Sequence, residues 1–372
     1  VAVGLKIHST YVPSDGPKHC DIMGVGEAPG KDEEREGRPF VGRAGSVLNS
    51  FFADRLGLSR DDFYVSNLCK YRPHKNDFKN LIGSPQLEEG LKELREEIAQ
   101  VNPKVIVALG AWPLFFLTGK TNDKGEVGTG IMNWRGSLLP NALVEGGPKV
   151  LASLHPAFLL RNWKWHPIAY DDWYKVKAQA EFPELRYPQY EVLIDPPDMD
   201  EIVKEMCQAE YLSVDIENWP DRTISCVGFA DRLDRALVVT SLQEGWQESV
   251  AKLLASSAKK IFQFGAYDIN FMYRFYGWKT VNYYFDTYVA AATLMPEFPR
   301  GLDFLTSIYT PFPYYKVERK TWKKTQDLTM LWEYNAKDDI AELMIALVQM
   351  RELKEEFGWD GHRPLTVPSS YD

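Results

Sequence analysis

Short apolar runs alternate along this chain with longer stretches whose apolar positions recur every three or four residues, the pattern of strands and amphipathic helices taken in turn. Cys20 to Val25 reads as a strand feeding a glycine turn. Leu87 to Val101 carries Leu87, Leu91, Leu94 and Ile98 on one face, so a helix is predicted there, closed by Pro103. Val105 to Gly110 (VIVALG) is predicted as a buried strand, and Val150 to Leu154 as another that ends at His155. Between Glu181 and Pro197 four prolines interrupt the pattern, which places a domain boundary near Tyr187. Beyond it Tyr211 to Ile216, Ser225 to Ala230 and Ala236 to Thr240 read as successive strands opening a mixed sheet. Asp338 is read as opening a long final helix, Asp339 to Phe357. The alternation favours α/β over all-α or all-β, in two domains, 1–187 and 188–372.

The length, 372 residues with 45% apolar content, permits two ordinary cores and excludes a membrane-embedded chain. No apolar run approaches the roughly 20 residues of a spanning helix, and the start, VAVGLKIHST, has no basic-then-apolar signal, so a cytoplasmic setting is expected. The first residue is not Met, which reads as a trimmed start. Cys20, Cys69, Cys207 and Cys226 are scattered without a CxxC pair, so neither a zinc site nor a disulfide framework is indicated. A net charge of −9 argues against a broad cationic nucleic-acid face, although carboxylates that capture Mg²⁺ would offset it locally. One basic stretch stands out, Lys316 to Lys324 (KVERKTWKK). Lys316, Arg319, Lys320 and Lys323 lie there among Tyr314, Tyr315 and Trp322, a mixture that suits stacking and phosphate pairing with a single strand. An ordinary solvated loop is the equally weighted alternative.

The back half also holds an ordered set of acids. In YLSVDIEN, Asp215 and Glu217 stand two apart on a strand, so both side chains leave one face and can share a metal. Asp268 follows an apolar strand, at the head of an amphipathic segment, and Asp338 follows Tyr334 by one helical turn. Cutting a phosphodiester with two divalent ions needs carboxylates that converge and a group that aims the water. The alternative makes Asp268 and Asp338 helix caps and Tyr334 a packed ring.

On these residues, the segment from about Val192 to Trp359 resembles the DEDDy 3′-to-5′ exonuclease domain that proofreads for family A DNA polymerases. The resemblance implies an RNase H-like (DnaQ-like) sheet, two Mg²⁺ or Mn²⁺ ions held by Asp215, Glu217, Asp268 and Asp338, and Tyr334 orienting the attacking water. The family usually has Asn four residues before the second acid, where Phe264 stands here, and this puts the seating of the terminal nucleotide in question. Asp286, in FDTYVAAATL, competes with Asp268 but reads more simply as an N-cap. PYYKVERK, Pro313 to Lys320, resembles a segment of phage-type polymerase exonuclease domains, which favours a viral replication setting.

The front half carries GEAPG at Gly26 to Gly30, PFVGRAG with Phe40, SNLCKYRPHKN with Asn67, Arg135-Gly136, and LHPAFLLRN with His155. Over about residues 20 to 180 this order resembles family-4 uracil-DNA glycosylases, which implies a three-layer α/β/α domain. By that resemblance Glu27 places the attacking water, Phe40 stacks on an extruded base, Asn67 bonds its edge and His155 stabilises the anion on uracil O2. The alternative makes His155 a strand-end residue before Pro156 without chemistry. The four cysteines by which family-4 enzymes hold an iron-sulfur cluster are not matched, so no cluster is expected and packing by Trp163, Trp165 and Trp173 is expected to serve instead.

The leading expectation is a 3′-to-5′ DNA exonuclease acting on single-stranded 3′ ends, fused to a glycosylase-like domain and working with a polymerase domain or subunit, because no polymerase palm fits after Trp359. Two rivals remain: a uracil-DNA glycosylase with an accessory nuclease, and a non-catalytic DNA-binding module of a polymerase.

Overall fold

The computed structural model describes residues 9–51, 54, 56–325 and 327–366, without the side chains of residues 320, 323 and 324. Backbone contacts separate two units, Val1–Arg186 and Tyr187–Asp372.

The first unit is built on five strands, β1 (Ile22–Gly26), β2 (Tyr64–Asn67), β3 (Val105–Leu109), β4 (Leu138–Leu139) and β5 (Lys149–Ser153), in the order β2-β1-β3-β5-β4. All pairs are parallel except β4 with β5. Helices cover both faces, which is why β1 and β3 are buried at every position and read as unbroken apolar runs. Helix Pro85–Val101 forms where its periodicity predicted. Ser84 accepts from the Leu87 amide at 3.2 Å, Pro85 occupies the first turn, and Asn102 ends the helix in a left-handed conformation.

The segment ahead of β1 is tied to this helix by polar bonds: Tyr11 to Glu93 at 2.8 Å, Ser14 to Glu97 at 2.6 Å, and the buried Lys70 ammonium to Ser14, Ser66 and Glu97. Of the three tryptophans expected to pack this unit, Trp173 is fully buried and Trp165 lies against the same core. Trp163, at the other end of the same short 3-10 turn, is 78% exposed and lies outside that core. Beside Trp173, Arg135 and Asp172 form a buried pair, with Arg135 Nε 3.1 Å from Asp172 Oδ2.

The second unit holds a six-stranded mixed sheet, β6 (Glu191–Ile194), β7 (Tyr211–Asn218), β8 (Ile224–Arg232), β9 (Arg235–Thr240), β10 (Lys259–Phe262) and β11 (Tyr283–Asp286), ordered β11-β10-β7-β8-β9-β6. β7, β8 and β9 form an antiparallel meander, and β10, β11 and β6 add in parallel. Strand alternation divides β7 cleanly. Leu212, Val214 and Ile216 enter one core, while Ser213, Asp215 and Glu217 leave by the other face.

That second face is covered by a 30-residue helix, Leu328–Phe357, which starts eleven residues earlier than the sequence pattern placed it. Asp327 caps it, accepting from the amides of Thr329 at 3.0 Å and Met330 at 3.4 Å, so Asp338 lies in mid-helix rather than at its head. The helix presses close to the sheet at Gly228, the partner of Asp215 across β7 and β8. A Cβ there would fall 1.8 Å from Asp339 Oδ2 and 2.5 Å from Asn335 Oδ1.

Candidate functional site

The tight approach at Gly228 brings the acids together. Oxygens of Asp215, Glu217 and Asp338 all lie within 4.8 Å of one another, two from β7 and one from the long helix. Asn335, one turn before Asp339, holds Asp215 in place, its Nδ2 donating to Oδ2 at 2.8 Å and to the Asp215 carbonyl at 3.3 Å. Asp268 sits in the first turn of helix Ala266–Tyr276, buried, outside that 4.8 Å group. It is near enough that Glu217 and Asp286 act on its charge: burial first, then these neighbours, push its pKa well above the carboxylate range. Asp215 is raised in the same way, by burial and then by Asp338, Glu217 and Asp268.

Tyr334 is fully buried beside Asp338. Burial, and then the charges of Asp338, Glu217 and Asp215, push its pKa up, so the phenol stays neutral and can hold a water without acting as a base. Asp286 caps helix Thr287–Leu294, as its Asp-Thr context indicated, and also accepts from the amides of Phe264 at 3.1 Å and Gly265 at 2.9 Å.

The basic stretch is a helix, Lys316–Thr325, rather than a loop, and the expectation of aromatics open to a strand is corrected there. Tyr314, Tyr315 and Trp322 are all buried, because the aromatic side of this amphipathic segment turns into the domain. Lys316 and Arg319 point at the acids. Lys316 Nζ donates to Asp338 at 3.0 Å and contacts the Tyr334 hydroxyl, Arg319 Nη2 donates to Glu217 at 3.1 Å, and Tyr315 donates to Asp338 at 2.6 Å. The side chains of Lys320 and Lys323 lie outside the described residues.

The oxygen-only, mutually repelling donor set fits a hard divalent cation. Two further acids, Asp339 and Glu342, are buried close to Asp215; the Asp215 backbone bonds the Asp339 carboxylate, Glu342 Oε1 has no hydrogen-bond partner, and burial raises both pKa values. The sequence reading missed Asn335, Asp339 and Glu342. Their spacing of four and three residues was the available signal, since it puts all three on one helical face.

In the first unit, Glu27, Phe40, Asn67 and His155 line one cavity of about 470 Å³ at the carboxyl ends of the strands, where parallel sheets bind ligands. Two glycines make room. A Cβ on Gly26 would strike Asn67 Oδ1 and the Phe40 ring at 2.6 Å, and Gly110, at φ +102°, sits between His155 and Glu27. His155 Nδ1 accepts from the Ala157 amide at 3.0 Å, which leaves the proton on Nε2. Burial lowers its pKa to about 4, so the ring is a neutral donor near pH 7. Burial, with a smaller contribution from Asp77, pushes Glu27 up to about 7.

The type-4 uracil-DNA glycosylase of Thermotoga maritima is 38% identical over 156 residues, 41% of this chain and 73% of that protein. That of Saccharolobus solfataricus is 34% identical over 175 residues, 46% and 77%. The chain belongs to the type-4 uracil-DNA glycosylases. The uracil-DNA glycosylase superfamily model covers residues 13–182, and the glycosylase domain is followed by a match to the 3′-5′ exonuclease model over residues 190–351. This member of the glycosylase family therefore carries a 3′-5′ exonuclease domain as its second half. Among solved structures, Escherichia coli RNase D, an exoribonuclease, matches at 19% identity over 46% of this chain and 47% of that one, with a TM-score of 0.38. Among the described residues no helix is long and apolar enough to cross a membrane.

Proposed function

We propose that the second half removes nucleotides from the 3′ ends of single-stranded DNA, with Mg²⁺ or Mn²⁺, as the proofreading activity of a replication system. A polymerase domain or subunit, of viral origin, is the partner in this reading. The observation that carries it is the convergence of Asp215, Glu217 and Asp338 within 4.8 Å, with Tyr334 one turn from Asp338. Divalent ions, when bound, neutralise the scissile phosphate and favour hydroxide over water at neutral pH. Asp215, Glu217 and Asp338 would hold them, with Asp268 completing the set.

The chain's own contribution is positioning. The neutral Tyr334 hydroxyl orients a water toward phosphorus; the bond from phosphorus to the 3′ oxygen of the preceding nucleotide breaks, and that oxygen takes a proton to become the new 3′ hydroxyl. The test is digestion of 3′-labelled and 5′-labelled single strands by wild type beside Asp338→Ala, with Mn²⁺ and with EDTA. Release of label first from the 3′ end, lost in the variant and in EDTA, supports the reading; metal-independent release overturns it.

A second reading, base excision by the glycosylase domain, is favoured by one observation: Glu27, Phe40, Asn67 and the Nε2–H of a neutral His155 share a single cavity. A neutral donor there could stabilise negative charge on a departing base. Abasic sites formed in uracil-containing DNA in EDTA, and lost in His155→Ala, support it; intact DNA overturns it.

A further inference from the structure

Helix Ala266–Tyr276 begins beside the acids and carries an aromatic stripe at helical spacing: Phe264 just ahead of it, then Tyr267, Phe271 and Phe275. Such a stripe ordinarily packs into a core. Here Phe264 is 48%, Tyr267 55% and Phe275 66% exposed, while Phe271 is buried between its neighbours. Tyr267 and Phe271 are stacked at 6.1 Å between ring centres, and Phe271 meets Phe275 at 4.6 Å, so the exposed Tyr267 and Phe275 rings are both backed by the buried Phe271.

Phe264 is the most informative member. Its φ of +61° is a left-handed conformation that a bulky side chain rarely adopts, and it is held by the bond from its amide to Asp286. The exposed ring leans on Tyr288 at 5.1 Å, and the Arg300 guanidinium lies over the other ring at 5.5 Å. Gln263 fixes that arrangement by donating to the Arg300 carbonyl at 2.7 Å. A strained, exposed aromatic beside a cation, four residues from Asp268, is a costly arrangement for packing alone and a suitable one for a base and its phosphate.

We propose that Phe264, Tyr267 and Phe275 form a stacking track for the bases of a single nucleic-acid strand whose 3′ end lies at the acids, with Arg300 pairing a phosphate. The proposal rests on the exonuclease reading for the strand's direction. From Tyr267 to Phe275 the helix advances about 12 Å at 1.5 Å per residue. That is the rise of three to four stacked bases at about 3.4 Å each. Recognition through ring faces tolerates every base, which suits removal of whatever nucleotide ends the strand.

The test uses the full chain in EDTA, where no metal-dependent cleavage interferes. Oligothymidylate carrying 2-aminopurine at successive positions from the 3′ end reports stacking by quenching. Phe275→Ala should weaken binding of the long strand by about fivefold to a hundredfold, the range of one lost stacking contact, and abolish quenching at an internal position. Phe275→Trp should restore both. Hydrolysis of the p-nitrophenyl ester of thymidine monophosphate in Mn²⁺, a substrate too short for the track, should be unchanged in Phe275→Ala. Unaltered strand binding and quenching in Phe275→Ala overturns the track, and a shift of the wild type from self-associated to monomeric in that variant assigns the stripe to a second copy instead. If wild type binds and quenches but hydrolyses neither substrate, the exonuclease reading fails while the track stands.

Discussion

Replacing Gly228 by Ala tests whether the acids are assembled by one close helix-to-strand contact. The added Cβ would lie 1.8 Å from Asp339 Oδ2, 2.5 Å from Asn335 Oδ1 and 2.9 Å from Asp339 Cγ, against an ordinary contact of 3.4 Å or more. The long helix must therefore withdraw by roughly an ångström and a half, or two buried side chains must leave their places together. Overpacking of this kind costs about 1–3 kcal/mol. Asn335 is also the residue that holds Asp215, and Asp338 rides on the same helix, so both shift relative to Glu217. A misplacement of about 1 Å lowers a rate by about a hundredfold. The assay is the rate of 3′-label release in Mn²⁺, with urea denaturation followed in the same protein. Gly24→Ala is the control, since its Cβ would meet Val65 and Leu109 at 3.6 and 3.7 Å, ordinary contacts within the first unit's sheet. Wild-type rate and stability in Gly228→Ala would refute the reasoning, because Asp339 and Asn335 would then be free to reorient without moving the acids.

Three further outcomes are expected. Glu27 has a folded-state pKa raised to about 7 from 4.5, so its ionisation opposes folding; the penalty is absent below pH 4.5, grows as pH rises through 7, and reaches on the order of 3 kcal/mol above it. Glu27→Gln should therefore gain stability relative to wild type between pH 5 and pH 8 in urea titrations of the full chain, and a difference that does not change with pH contradicts this. Asp172→Ala takes the carboxylate from the buried Arg135 and should cost about 3–5 kcal/mol by denaturation; a loss below about 1 kcal/mol would mean the guanidinium reaches water. Lys316→Ala combined with Arg319→Ala removes cations that compete with a metal for Asp338 and Glu217, each pair worth up to about 1 kcal/mol, so calorimetric Mn²⁺ binding should tighten, by up to about thirtyfold. Unchanged or weaker Mn²⁺ binding would mean the two cations do not compete for the acids.

Much of this protein is legible in its local patterns. Period-two alternation identified β7 and placed Asp215 and Glu217 on one face, because successive side chains of a strand must point to opposite sides. The apolar spacing of Leu87 to Ile98 identified its helix, and the motifs resembling family-4 glycosylases named Glu27, Phe40, Asn67 and His155, which line one cavity. The start of the long helix escaped that reading, since Leu328 to Glu333 shows no clear periodicity on its own and its cap, Asp327, follows a lysine-rich stretch that looked solvated. Those lysines are the plainest case of what sequence cannot supply. Lys316 and Arg319 could be recognised as cations near aromatics, but their partners, Asp338 and Glu217, are 22 and 102 residues away along the chain.

The sequence by itself determined the two α/β halves, the strand faces and the residue types available for each chemistry, because these follow from steric periodicity and composition within a few turns of chain. Only the tertiary structure decided which acids meet, that Asn335 steadies Asp215, that Trp322 is buried and that Phe264 is exposed in a strained conformation. Those outcomes depend on contacts between distant segments, where the space left by Gly228 and the bonds made by Asp286 act on residues that no local pattern connects to them.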